Sequence, residues 1–147
     1  METKNGLGRW RKQAYEDLKF YQDICEIRRF IYQTTERFFK THLRLVSQMR
    51  DAARSAKQNI REGYRKGSAG EFANGIRISL GSLEELSGDA EDCLEDKLIT
   101  QSEFDKFSAL FQSATYMANQ YVKSLYKMDR EGSWNVPQSA LRKRNFK

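Results

Sequence analysis

The sequence predicts an all-α protein, an antiparallel up-down four-helix bundle with basic, flexible termini, and three observations carry that prediction. Apolar residues recur at intervals of three and four in four successive stretches. Two capping boxes, Ser68-Ala-Gly-Glu71 and Thr100-Gln-Ser-Glu103, mark where the third and fourth stretches begin. Short turns join the stretches, which places consecutive helices side by side and head to tail. At 147 residues the chain is one domain with room for a hydrophobic core. Residues 1–14 read as a basic flexible arm, 15–129 as the bundle, and 130–147 as a linker and basic tail.

The first helix is expected from Glu16 to Phe39, with Phe20, Ile24, Ile27, Ile31, Thr34 and Phe38 as its core stripe. Phe30, Tyr32 and Phe39 fall off that stripe and predict a second buried face, against another subunit. Lys40 to His42 make the turn. In the second helix, Leu45 to Tyr64, the residues Val46, Met49, Ala53, Ala56 and Ile60 share one face. Its cations Arg50, Arg54, Lys57, Arg61 and Arg65 recur at the same spacing, roughly 120° around the helix at 100° per residue. One helix thus carries a packing face of mostly small side chains beside a ladder of positive charge, and Gly63 and Gly67 end it.

The third helix runs from the Ser68 box to about Asp96, with Phe72, Ile76, Leu80, Leu83, Ala90 and Leu94 on its apolar side. Gly75, Gly81 and Gly88 lie inside it, each unfavourable by roughly 1 kcal/mol against alanine. Close helix–helix approach is the expected reason for them. The fourth helix carries the cleanest seam: Phe104, Phe107, Phe111, Ala114, Ala118, Tyr121, Leu125 and Met128. The predicted core contains Phe107, Phe111, Leu125, Ile24, Ile31, Met49, Ile60 and Leu83. Gly132, Ser133, Asn135 and Pro137 mark the linker.

A net charge of +6 and a pI near 9.4 favour acidic partners, nucleic acid first. Residues 44–66 carry seven cations against Asp51 and Glu62, whereas residues 84–106 carry nine anions against Lys97 and Lys106. Two such segments either complement each other between subunits or form two solvated faces. The candidate nucleic-acid contacts are Arg50, Arg54, Lys57, Arg61, Arg65 and Lys66 on the ladder. Arg9, Trp10, Arg11 and Lys12 in the arm join them, with Arg142, Lys143 and Arg144 in the tail. Trp10 among cations is suited to stacking on a base.

No catalytic constellation is read. His42 is the only histidine and sits in a turn, and no Glu-x-x-His pair of a bundle di-iron site occurs. Lys66-Gly-Ser-Ala-Gly70 precedes a helix but lacks P-loop spacing. Cys25 and Cys93 form no CxxC and read as small buried hydrophobes. The expectation is a non-enzymatic protein with no cofactor and no metal. No apolar run of about eighteen residues predicts a membrane span, and no apolar leader is visible, so the expected compartment is the cytoplasm.

Ala52-Ala-Arg-Ser-Ala-Lys-Gln-Asn-Ile-Arg-Glu-Gly63, then Ser68 and Glu71-Phe72, then Gly81-Ser-Leu-Glu-Glu-Leu86 carry a resemblance. They resemble the bacterial four-helix-bundle proteins encoded in intervening sequences of 23S rRNA genes. Gln48, Arg50, Ala53, Ser55, Asn59, Ile60, Glu62 and Gly63 match the family pattern. Ala56 and Lys57 stand where it often has Ile-Pro, and Arg61 where it has Ala. The resemblance spans about Tyr15 to Met128 and implies the four-helix fold and a ring-like homopentamer. A related bundle is the accessory protein of diversity-generating retroelements, which implies as an alternative a reverse transcriptase and template RNA as partners. The third alternative is a protein-interaction scaffold with no nucleic-acid role, its basic ladder meeting the acidic third helix of a neighbouring subunit.

Overall fold

A computed structural model describes residues 13–134. Four helices make up most of it: α1 (Lys19–Thr35), α2 (Leu43–Arg65), α3 (Ala69–Glu95) and α4 (Gln101–Glu131). Each helix packs on two neighbours, α1 on α2 and α4, and α3 on α2 and α4, so the four close a bundle.

Specific contacts fix the direction of every pair. On α1 and α4, Phe20 meets Tyr121, Asp23 accepts from the Ser113 hydroxyl at 2.8 Å, and Arg37 just beyond α1 reaches Glu103 at 2.6 Å. On α2 and α3, Gln48 donates to Asp89, the Ser55 and Ser82 hydroxyls share a hydrogen bond, and Gly63 lies against Gly75. Residue numbers rise on one helix as they fall on the other, which is the antiparallel arrangement. On α1 and α2, Arg50 reaches Tyr32 and Thr35 while Tyr15, just before α1, meets Tyr64; on α3 and α4, the Gly70 amide donates to Asp129 and Arg77 meets Tyr126.

The α2/α3 seam is the tightest, because small residues line it. A Cβ on Gly75 would overlap the Asn59 carbonyl oxygen and lie 3.0 Å from the Gly63 Cα. The Ser79 hydroxyl crosses the seam to the Ala56 carbonyl, satisfying a buried polar group across the helix pair. Gly75 therefore has the close approach that the sequence predicts. Gly81 and Gly88 do not: a Cβ at either meets open space, and both are exposed on the outer face of α3.

Seven of the eight predicted core residues are buried, but Phe111 is only half-buried. It stacks on the buried Phe107 with ring centroids 6.0 Å apart. The predicted aromatic surplus of the first helix divides in three. Phe30 is buried with the Lys106 ammonium over its ring, Tyr32 lies between the Arg28 and Arg50 guanidiniums, and Phe39 is 76% exposed.

Helix ends follow local chemistry. α1 starts later than Glu16 because Ala14–Asp17 forms a separate 3₁₀ turn, with the Glu16 carboxylate accepting from the Gln13 amide at 2.7 Å. It also stops earlier, at Thr35, and Lys40–His42 is a second 3₁₀ turn. Thr100 and Glu103 form the full reciprocal capping box. At α3 the Ser68 hydroxyl accepts from the Glu71 amide, but the Glu71 carboxylate turns to Lys66 at 3.8 Å, so only half the predicted box forms. α4 extends to Glu131 and ends on Gly132 at φ +66°, a left-handed cap suited to glycine. At the end where α1 and α3 start and α2 and α4 finish, Tyr15, Tyr21, Tyr64, Phe72, Tyr121 and Trp134 form a chain of ring contacts between 5.0 and 5.9 Å.

Candidate nucleic-acid interface

The basic ladder of α2 is divided by its neighbours. Arg50 faces α1 and is fully engaged there. Its Nε donates to the Thr35 hydroxyl at 3.0 Å and its Nη2 to the Tyr32 carbonyl at 3.2 Å and the Glu36 carboxylate at 3.1 Å, with the guanidinium over the Tyr32 ring. Thr35 accepts that bond while its own hydroxyl donates back to the Ile31 carbonyl at 2.7 Å. Arg50 thus ties the end of α1 to the start of α2. At the other end, Lys66 has Glu71 as a partner and Arg65 is exposed.

Between them lie Arg54, Lys57 and Arg61, and here α1 contributes a fourth cation. Arg28, Arg54, Lys57 and Arg61, with Gln58, line one concavity of about 220 Å³ between the two helices. Among the described residues no carboxylate pairs with any of the four. Arg61 is half-buried, and its Nε is shielded from solvent without a hydrogen-bond acceptor. A buried donor left without a partner is unfavourable, and clustered like charges repel, so the electrostatics of the concavity favour an anion over a cation.

A second concavity, of about 400 Å³, adjoins the first and shares Arg28 and Lys57 with it. Glu16, Tyr21, Gln22, Cys25 and Arg29 complete its lining. Burial holds the Cys25 thiol above its ordinary pKa, with Lys57 and Arg29 acting in the opposite sense. The Cys93 thiol is pushed up to about 11 by burial and the nearby acids of α3, and it contacts the Met49 sulfur at 3.7 Å. Both cysteines are free.

Of the residues read from the sequence as nucleic-acid contacts, the structure brings Arg54, Lys57 and Arg61 together. It places Arg65 and Lys66 beyond them at the helix end and engages Arg50 internally. Arg9, Trp10, Arg11, Lys12, Arg142, Lys143 and Arg144 lie outside the described residues. Sequence reasoning omitted Arg28 and Arg29. The signal was present, since both stand off the core stripe of the first helix, but pairing them with α2 required knowing which helix packs beside it.

The acidic segment faces away from this groove. Among the described residues the Lys66–Glu71 contact is the one ion pair between α2 and α3, although the two helices pack along their length. Asp89 is buried and accepts two hydrogen bonds from Gln48; burial raises its pKa. Among the described residues no group of three or more His, Cys, Asp or Glu is placed to hold a metal ion. No described helix is long and apolar enough to cross a membrane.

No curated protein matches the chain. The family model of the 23S rRNA-intervening sequence protein matches residues 16–120, from the first 3₁₀ turn to late in α4. With its four antiparallel helices and a match over most of its length, the chain belongs to the 23S rRNA-intervening sequence protein family.

Proposed function

We propose that this is a non-enzymatic, self-associating four-helix-bundle protein that binds nucleic acid, RNA above all, without strong sequence preference. The observation that supports it most is the α1/α2 groove, where Arg28, Arg54, Lys57 and Arg61 line one concavity with no acidic partner among the described residues. Cations held along a groove neutralise successive phosphates and release counterions, which gives affinity independent of base identity. Among the described residues no array of side chains for reading base edges accompanies them. Arg65 adds an exposed cation at the end of α2, and residues 1–12 and 135–147 are basic in sequence.

Self-association rests on a different surface. Ile78 is 48% exposed on α3, and Gly81 on the same helix leaves open space for a neighbour's side chains. A ring of five subunits would repeat the groove around its circumference and multiply weak contacts with one strand. In the retroelement reading the same surface serves a reverse transcriptase and its template. In the scaffold reading the basic groove meets the acidic third helix of another subunit, and nucleic acid plays no part.

Titration of a labelled single-stranded RNA with wild type and an R54Q/K57Q/R61Q variant, with particle size measured in parallel, tests the proposal. The expected result is lower RNA affinity in the variant at unchanged size. Loss of assembly with no RNA affinity in the wild type would favour the scaffold instead.

A further inference from the structure

The groove on which the nucleic-acid reading rests is more specialised than a charged surface. A helix that simply follows a strand presents its cations one turn apart, each beside a different phosphate. Here cations from two helices converge on a single concavity of about 220 Å³. Three are guanidiniums, whose planar forks suit phosphate oxygens, and Lys57 adds a compact ammonium. The Gln58 amide supplies a neutral donor in the same lining. The Arg61 Nε–H is shielded from water and lacks an acceptor.

An internal phosphodiester brings one negative charge and two free oxygens. A terminal phosphomonoester brings about −1.5 to −2 charges at neutral pH and three strong acceptor oxygens. Four unpaired cations around one small space match the second ligand better than the first. The adjoining concavity of about 400 Å³ has the position and polarity for the nucleoside that carries such a phosphate. In its wall Gln22 donates to the Glu16 carbonyl and the Glu16 carboxylate accepts from the Gln13 amide, and the shared Arg28 and Lys57 stand at the junction of the two spaces. Among the described residues no acid lines the smaller space, and Glu16 is the one acid lining the larger.

We infer that the α1/α2 groove is a seat for the terminal phosphate of a nucleic-acid strand, with the end nucleotide in the adjoining concavity. The protein then recognises strand ends in preference to strand interiors. This rests on the nucleic-acid reading above and adds to it a chemical class of ligand.

Three single-stranded RNAs of one sequence test the inference: one with a 5′-phosphate, one with a 3′-phosphate and one with hydroxyls at both ends. The full chain is titrated with each at moderate salt. At least one phosphorylated end should bind about ten-fold tighter than the hydroxyl RNA, the equivalent of one added charge-assisted hydrogen bond. Which end it is identifies the polarity of the seat. Arg28→Gln should bring the RNAs to a common affinity, and Arg61→Gln provides a second variant if loss of the Arg28–Tyr32 contact unsettles α1. Equal affinity of all three RNAs for the wild type would overturn the seat while leaving general RNA binding in place. Failure of all three to bind would overturn the nucleic-acid reading itself, and the seat with it.

Discussion

Arg50 and Arg54 stand one turn apart on α2 and do different work, because α1 runs beside one edge of the ladder. Arg50 is held by Thr35, Tyr32 and Glu36, whereas Arg54 is exposed at the rim of the groove. Arg50→Gln is therefore expected to lower stability in urea, and the triple groove variant to leave it close to wild type. The glycines of α3 divide in the same manner. Gly75→Ala forces a methyl into the Asn59 carbonyl and should destabilise by about 1–3 kcal/mol, the usual range for overpacking. Gly88→Ala meets open space and should stabilise by about 0.5–1 kcal/mol through helix propensity alone. Denaturation midpoints of the two variants check both signs. Composition and spacing showed that α3 carries glycines, but only the position of α2 against it shows which of them has a neighbour.

Among the elements, the α1/α4 pair shows how local chemistry and packing combine. The three-four spacing of α4 was legible, and it places Phe107, Ala114, Ala118 and Leu125 in the core. Phe111 has the same spacing but is only half-buried, a distinction that spacing within one helix does not encode. Phe107→Ala should then destabilise by about 3–5 kcal/mol and Phe111→Ala by clearly less, measured by chemical denaturation. The Thr100 box was legible in full because its partners lie three residues apart. Arg37, from beyond α1, was not, since it joins the box from 66 residues away in sequence. Its guanidinium holds the Glu103 carboxyl below the ordinary carboxylate range. A carboxylate with a lowered folded pKa adds stability above its unfolded value near pH 4.3, and that stability is lost as pH falls through the folded value. Glu103→Gln should accordingly destabilise at roughly pH 6 and have less effect near pH 3, with the difference read in urea titrations. Partial exposure of both groups keeps the effect below about 1 kcal/mol.

At the scale of the molecule, the bundle separates a basic groove on α1 and α2 from an acidic outer face on α3. The excess of each charge was readable from composition, and the four-helix class from periodicity. The convergence of Arg28 with the ladder was not, because it depends on helix neighbours that no spacing within one helix encodes. The proposed self-association predicts a particle larger than the 17.2 kDa chain in light scattering at micromolar concentration; a monomer would count against it. RNA binding through the groove is the central claim, and the salt dependence of affinity tests it most directly. Wild type, Arg50→Gln and R54Q/K57Q/R61Q are each titrated with one single-stranded RNA across a range of salt. Each phosphate neutralised on a single strand contributes about −0.7 to the slope of log affinity against log salt. The triple variant should have a flatter slope than the wild type, by about 0.7 for each phosphate that its three lost cations neutralised, while Arg50→Gln keeps the wild-type slope. Equal slopes for the wild type and the triple variant would contradict the account.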